Sequence, residues 1–258
     1  MSSDRVENIQ KQFDAHGEAY IRLPSVAEEK LLDAIVRISR VTPEERVLDV
    51  ASGPGFIAMA LSGACQEVVG IDVTENFLNF ARAESTSRGL SNVTFEYGDV
   101  ESMPFEDHAF DCAVCRSAFH HFPNPERVLA EMKRVVKPGG RLLIMDMIAS
   151  EDPEKAAYHH HIEMLCDPTH ARALSPSAFQ SLFNEAGLTV AWEREGQVHY
   201  SVDQWLEHGG PPEVAAAEIR ELLEASVDTD RAGIPVWRDG DTLMLGHRAM
   251  SYLLEHPA

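Results

Sequence analysis

The sequence predicts an α/β protein whose doubly wound, mostly parallel sheet carries helices on both faces. Hydrophobic strand-like runs alternate with helical segments as far as residue 147, which is the pattern of such a sheet. Residues 47–56, VLDVASGPGF, indicate a buried strand that turns through two glycines into a helix. Acidic residues stand at the ends of this and the next strands, where a sheet of this class binds its ligands.

The first half of the chain alternates regularly between strands and helices. Residues 47–50 form the aliphatic run of an interior strand, and residues 57–61 supply the helix after the glycine turn. The Pro-Gly-Gly at 138–140 is expected to end a helix and turn the chain tightly into the fifth strand. Two helices, near 5–15 and 25–40, are predicted before the first strand. The elements predicted after it are helix 56–63, strand 67–72, helix 75–88, strands 93–97 and 110–115, helix 125–136 and strand 141–147.

Beyond residue 150 the sequence contains helices that the sheet does not need. We expect helical insertions near 150–170 and 200–230, the second of them helical over 202–228, to cap the substrate site. Ser175 and Pro176 begin a helix that leads into a strand at 188–194. An Asp239-Gly240 hairpin turn precedes a last, antiparallel strand, the seventh of the sheet. We expect residues 1–258 to form a single domain.

Composition excludes several classes of partner. The 258 residues are 44% hydrophobic, which suffices for a sizeable core. Lys and Arg total 22 against 42 Asp and Glu, and the net charge of −20 repels nucleic acids and anionic lipid surfaces. No stretch approaches the roughly 18 apolar residues of a membrane span, and no signal peptide is recognisable. We therefore expect a cytoplasmic protein with neither nucleic acid nor membrane as partner.

The four cysteines are too few for a disulfide framework. Cys112 and Cys115 have the CxxC spacing of redox and zinc sites, but they lie on a predicted strand. An odd spacing on a strand sends two side chains to opposite faces. We therefore expect reduced cysteines that fill the core.

The glycine turn is compatible with two classes of cofactor. Gly53-x-Gly55-x-x-Ala58 matches the loose dinucleotide fingerprint, and the helix behind it presents backbone N–H groups to a ligand. Asp49 argues against the anionic class, because a carboxylate there repels a pyrophosphate and attracts an ammonium or hydroxyl group.

Two further acids extend this argument. Asp72 ends the second strand and can accept hydrogen bonds from both hydroxyls of a ribose, which serves NAD equally well. Asp99 ends the third strand, where its carboxylate could accept a hydrogen bond from the exocyclic amine of an adenine while the backbone N–H of Val100 donates to the adenine ring. Three acids on successive strand ends favour a cationic adenosine.

Several motifs occur in a fixed order along the chain: DVASGPG at 49–55, GID at 70–72, GDV at 98–100 with MPF at 103–105, Asp111, and KPGGR at 137–141. This ordered set resembles the class I S-adenosylmethionine-dependent methyltransferases, and within them the ubiquinone and menaquinone C-methyltransferase-like group. The resemblance implies a Rossmann-like seven-stranded sheet and S-adenosylmethionine as the cofactor. It also implies that the glycine turn lies against the methionine part, Asp72 against the ribose, and Asp99 with Val100 against the adenine.

The opening segment 13–22 also resembles the family, and there an aromatic at Tyr20 would close over the cofactor. Residues 23–30 depart from the family by reading LPSVAEEK in place of a polar, His-containing segment. Together, the residues expected to bind the cofactor are Tyr20, Asp49, Ala51, Ser52, Gly53, Gly55, Asp72, Val73, Gly98, Asp99, Val100, Arg116 and Ser117.

Two adjacent histidines follow the fourth strand in RSAFHHF. Methyl transfer from a sulfonium needs positioning more than a base, but an acceptor that must lose a proton benefits from one. His120 and His121 are the candidates, since the ordinary histidine pKa is about 6.5. A packed strand-to-helix connection is the alternative explanation for the pair. For Arg116, the alternative to binding the cofactor is a structural salt bridge.

Later polar residues suggest two further sites. His159 and Glu163 share a helix face at i and i+4 and could ligate a metal, but no spacing supplies a third ligand, so we expect none. The alternative is a solvated or substrate-lining helix surface. His170 and Arg172 are expected to bind an acceptor carboxylate or phenolate, with a surface ion pair as the alternative for Arg172.

The sequence therefore predicts an enzyme that moves a methyl group from S-adenosylmethionine to oxygen, nitrogen or carbon of a small organic acceptor. One alternative is a protein that binds the same cofactor without methyl transfer, because fold and cofactor do not dictate chemistry. An NAD-dependent oxidoreductase is disfavoured by Asp49 and by the lack of an obvious Tyr-x-x-x-Lys pair. The oligomeric state and the acceptor are not predicted.

Overall fold

A computed structural model of the protein describes residues 1, 3–21 and 28–258, and the predictions for residues 22–27 lie outside this part of the chain. Its strands are β1 Arg46–Val50, β2 Glu67–Asp72, β3 Val93–Tyr97, β4 Phe110–Arg116, β5 Val136–Met147, β6 Thr189–Ser201, β7 Val236–Asp239 and β8 Thr242–Glu255. They form one sheet with the strand order β3-β2-β1-β4-β5-β8-β6, in which β7 pairs with β8.

Strands β1 to β5 run parallel, and β8 lies antiparallel between β5 and β6. The predicted doubly wound sheet with an antiparallel last strand is confirmed. The hairpin predicted at Asp239-Gly240 also forms, with Asp239 opposite Thr242 and Gly240 at φ 58°. Its first arm is the short strand β7, which adds an eighth strand to the seven expected.

Helices cover both faces of the sheet. They are α1 Ser3–Ile21, α2 Glu29–Ser39, α3 Phe56–Leu61, α4 Glu75–Ser87, α5 Pro125–Val135, α6 Pro153–Cys166, α7 Pro176–Glu185, α8 Val202–Gly209 and α9 Glu213–Glu224, with a 3₁₀ turn at Phe119–His121. No helix within the described ranges is both long and apolar enough to cross a membrane.

Three predicted boundaries were wrong. The helix expected over 202–228 divides into α8 and α9 because Gly210 adopts a left-handed φ of 62° and two prolines without N–H groups follow it. Strand β5 begins at Val136 rather than 141, since Val136 already pairs with Phe110 and the Pro-Gly-Gly forms an irregularity inside the strand. Strand β6 runs on to Ser201, seven residues past the predicted end, because it pairs with β8 along its length.

The core lies on both faces of the sheet, as strand alternation requires. Leu48 and Cys115 belong to the cluster on one face, and Val47 and Cys112 to the cluster on the other, so the predicted separation of the two cysteines is confirmed. All four cysteines are buried and free. A third cluster joins α6, α8, α9 and β8, with Ile162, Trp205, Ile219 and Leu245 among its members.

Candidate active site

The turn after β1 depends on glycine at one position above all. Gly55 has φ 78° and directly precedes α3. A Cβ atom there would lie 2.6 Å from the ring of Phe95 and 2.8 Å from Cβ of Ala81. Ala51, with φ 54°, also occupies the left-handed region, which non-glycine residues enter only when their surroundings hold them there.

Asp49 lies beneath this turn and caps α3. Its carboxylate accepts a hydrogen bond from the backbone N–H of Ala58 at 3.0 Å, and the side chain is 1% exposed. The protein's own carboxyl group therefore occupies one N–H of the helix's first turn, which disfavours a phosphate at that position. Burial raises the pKa of Asp49 to about 8, with the Ala58 hydrogen bond opposing the shift and the charge of Asp72 adding to it.

Asp72 lies at the end of β2 and closes the turn. One carboxylate oxygen accepts the N–H of Gly53 and the other that of Thr74, both at 2.8 Å. Burial raises its pKa, while the hydrogen bonds from Gly53 and Thr74 oppose the shift. A carboxylate has further lone pairs, so Asp72 can still accept from a ligand's hydroxyl groups.

A cavity opens beside this turn at the carboxyl ends of β1, β2 and β4. Nine of the predicted site residues line it: Ala51, Ser52, Gly53, Asp72, Val73, Val100, Arg116, Ser117 and His121. Asp49, Gly55, Gly98 and Asp99 lie outside its lining, and the side chain of Tyr20 is outside the described part of the structure. Ile9 and Phe13 of α1 cover the cavity, and neither was predicted from the sequence.

The lining suits a cationic, hydroxyl-bearing ligand. Asp49 and Asp72 place two buried carboxyl groups behind one turn, and a cation stabilises their ionised forms. The Ser52 hydroxyl is buried on this wall without a hydrogen-bond partner among the described residues. Asp99 pairs with the ammonium group of Met1, which also lies 3.2 Å from Glu101, so an adenine at Asp99 requires Met1 to move aside.

The two histidines differ sharply in their surroundings. His120 Nδ1 lies 2.6 Å from Oδ1 of Asp146, whose other oxygen accepts the N–H groups of Ala118 and Phe119 at 2.8 and 2.7 Å. Burial lowers the pKa of His120, but the charge and hydrogen bond of Asp146 outweigh it and raise the pKa above its ordinary value. Burial and the charge of His120 lower the pKa of His121 to about 4.

A second cavity, of about 290 Å³, adjoins the first. The two cavities share Phe13, Arg116, Ser117 and His121 in their walls. His120, Asp146 and His170 line the second cavity together with residues of β6, α8 and β8. The predicted histidine pair therefore lies at the junction between the cavities.

The structure brings His170 to this cavity and leaves Arg172 outside it. His170 is 2% exposed, its ring centroid lies 5.6 Å from that of His120, and its Nε2 has no partner among the described residues. The Arg172 side chain is exposed, and its backbone N–H donates to the carbonyl of His120 at 3.1 Å. The two residues predicted to bind an acceptor anion therefore do not line the cavity together, since only His170 is part of its wall.

Sequence reasoning also missed two further residues at the site. Asp146 stands near the carboxyl end of β5, so the strand-end rule that selects Asp72 would have found it. Arg5 of α1 donates to the carbonyl of His121 at 2.9 Å and also to that of Thr169. No local pattern marks Arg5, since its role depends on where α1 docks.

The comparison with known proteins agrees with this geometry. The family model for the methyltransferase domain matches residues 42–187, more than half of the chain and the part that carries the glycine turn, Asp72 and the histidine pair. This chain belongs to the S-adenosylmethionine-dependent methyltransferase family. The resemblance drawn from the motifs is confirmed.

This chain is similar to other methyltransferases in both sequence and structure. The uncharacterised methyltransferase YcgJ of Bacillus subtilis is 33% identical over 219 residues, which cover 85% of this chain and 87% of the relative. The crystal structure of YcgJ has a TM-score of 0.81 over 88% of this chain and 98% of that one, at 30% identity. The demethylmenaquinone methyltransferase of Bacillus cytotoxicus is 31% identical over 57% of this chain and 65% of its own length.

Proposed function

We propose that the enzyme transfers a methyl group from S-adenosylmethionine, held in the first cavity, to a small organic acceptor held in the second. The observation that carries the proposal is the shared wall of the two cavities, formed by Phe13, Arg116, Ser117 and His121. Because these residues line both cavities, a methyl donor bound in one lies next to an acceptor bound in the other, with little water between them. A volume of about 290 Å³ suits a small molecule rather than a polymer.

The residues of the first cavity are suited to each part of the cofactor. Asp72 would accept the ribose hydroxyls, Val73 and Val100 would contact the adenosine, and the turn from Ala51 to Gly53 would face the methionine part. Asp49 would act from beneath the turn, where the positive charge of the bound cofactor favours its ionised form. When bound, S-adenosylmethionine supplies an electrophilic methyl group on a cationic sulfur.

His120 is proposed as the base that removes a proton from the acceptor. Asp146 holds its Nδ1, which leaves Nε2 as the ring nitrogen that can accept a proton. His121, with its pKa near 4, stays neutral at pH 7 and would position the reactants at the junction. The opposite pKa shifts of the two neighbours are the usual sign of separate acid-base roles.

The first test is calorimetric titration of one protein sample with S-adenosylmethionine, S-adenosylhomocysteine and NAD. We expect both adenosine sulfur compounds to bind and NAD to remain undetected. Asp72→Asn should weaken the binding of S-adenosylmethionine by about 10- to 100-fold, because hydrogen bonds to a charged group contribute about 1.5–3 kcal/mol. Asp203→Asn is the matched control, since Asp203 is an exposed residue of α8. Binding of NAD, or equal affinity in both variants, would refute the cofactor assignment.

The second test follows formation of S-adenosylhomocysteine over a panel of phenols, amines, carboxylic acids and activated carbon acids. His120→Gln should lower the turnover of the best acceptor by about 10²- to 10⁴-fold, the usual contribution of a general base. His161→Gln serves as control, because His161 is an exposed residue of α6 that pairs with Glu218. Cofactor binding without turnover of any acceptor would favour a binding protein instead.

A further inference from the structure

A buried cluster of two imidazoles and a carboxylate borders the second cavity, which is called the acceptor cavity below. His159 Nε2 is 3.0 Å and His247 Nε2 is 2.9 Å from the same oxygen of Glu163, Oε1. The three ligand atoms lie within 4.8 Å of one another, and all three residues are buried. Helix α6 supplies His159 and Glu163 at i and i+4, and β8 supplies His247, the third ligand that the sequence alone did not reveal.

We propose that His159, Glu163 and His247 bind a divalent transition-metal cation of the Zn²⁺ class, with an open coordination position facing the acceptor cavity. Imidazole nitrogen and carboxylate oxygen are preferred ligands of this class, and two histidines with one glutamate form a three-ligand set that leaves a fourth position open. Bonds of about 2.1 Å in tetrahedral geometry place ligand atoms about 3.4 Å apart. The Glu163 oxygen lies 3.0 and 2.9 Å from the two imidazole nitrogens, within about 0.5 Å of that value.

The direction of the open position follows from the lining of the cavity. Glu163 and His247 both contribute to its wall, so a cation between them borders the cavity. His170 lines the same cavity, and its buried Nε2 lacks a hydrogen-bond partner within the described ranges. A buried polar atom of this kind needs a partner, and a water or acceptor oxygen in the cavity would provide one.

The cation would select the acceptor. A divalent ion attracts an oxygen of a hydroxyl or carboxylate group and favours its deprotonated form, so acceptors that bear such an oxygen are the expected class. This selectivity rests on the proposed methyl transfer. Binding of the cation itself does not.

Titration of the full-length protein with Zn²⁺, after treatment with a chelator, measures the site directly. We expect one equivalent to bind, and Co²⁺ in its place to give the visible absorption of a four- or five-coordinate ion that the chelator abolishes. Glu163→Gln and His247→Gln should each lower the affinity for Zn²⁺ by at least ~100-fold, because even residues that only hydrogen-bond to metal ligands contribute 10- to 100-fold to metal affinity. His161→Gln is the control, since it removes an exposed histidine from the same helix.

Three outcomes overturn the proposal: no stoichiometric Zn²⁺ in the wild type, no coordinated Co²⁺ spectrum, or unchanged affinity in folded Glu163→Gln protein. Any of them would leave the cluster as a hydrogen-bonded triad only. The Co²⁺ spectrum of the wild type decides the question even where a variant fails to fold. S-adenosylmethionine titrated into the chelator-treated protein separates the two proposals, because cofactor binding without cation binding refutes the metal site and leaves the proposed function intact.

Discussion

Substitution of Gly55 by alanine tests how the glycine turn and the sheet fit together. An L-residue at φ 78° costs about 1–2 kcal/mol in backbone strain. The added Cβ would also lie 2.6 Å from Phe95 and 2.8 Å from Ala81, and overpacking of this kind costs about 1–3 kcal/mol. Phe95 cannot retreat freely, because a Cβ at Gly70 would lie only 2.7 Å from the same ring. We expect Gly55→Ala to lower the free energy of unfolding by about 2–5 kcal/mol.

Denaturant unfolding followed by circular dichroism measures this loss. Gly240→Ala is the matched control, because Gly240 has φ 58° with nothing within 4 Å of an added Cβ, and we expect it to cost only about 1–2 kcal/mol. Adding Phe95→Leu to both wild type and Gly55→Ala completes a double-mutant cycle, in which we expect a coupling of about 1 kcal/mol or more. Equal losses at Gly55 and Gly240, or an additive cycle, would refute the packing argument.

Three further predictions concern charge and burial. Asp146→Asn should lower the pKa of His120, so its NMR titration should move to lower pH, and the rise of kcat/KM with pH should move with it; an unmoved midpoint would contradict the pairing. Asp49 has a raised pKa of about 8, so the folded state holds the extra proton and the contribution of Asp49 to stability falls as pH rises from about 4 to 8. Asp49→Asn keeps an acceptor for Ala58 and should gain stability relative to the wild type between pH 5 and 8 in paired unfolding curves; a constant difference would disprove the shift. Burial raises the pKa of Cys65 to about 11 and of Cys112 to about 12, so a thiol reagent at pH 8 should label these cysteines only after unfolding, and rapid labelling of the native enzyme would show that they are accessible.

Much of the fold was predictable because its signals are local. The aliphatic run at 47–50, the glycines after it and the alternation of strand and helix each fit within a short window of sequence. The strand-end acids were predictable for the same reason, since parallel strands bring their carboxyl ends to one edge. The break at Gly210-Pro211-Pro212 was also visible in the sequence, and the single long helix predicted there overlooked it.

Side-chain partners were predicted less well, because they depend on docking and turn geometry. Asp49 was predicted to attract an ammonium or hydroxyl group of a ligand, and only the structure shows that it also accepts the backbone N–H of Ala58 in α3. Arg172 was expected beside His170, but the loop directs it to solvent. Neither outcome follows from residue type or spacing alone.

The sequence by itself determined the order of strands and helices, the turn at Gly53 and Gly55, and the placement of acids at strand ends. Only the tertiary structure paired His120 with Asp146, 26 residues away, and brought His247 to Glu163 across 84 residues. The physical reason is range: turn chemistry and hydrophobic periodicity act within a few residues. Contacts between distant side chains form only when the sheet aligns its strands and the helices dock on them.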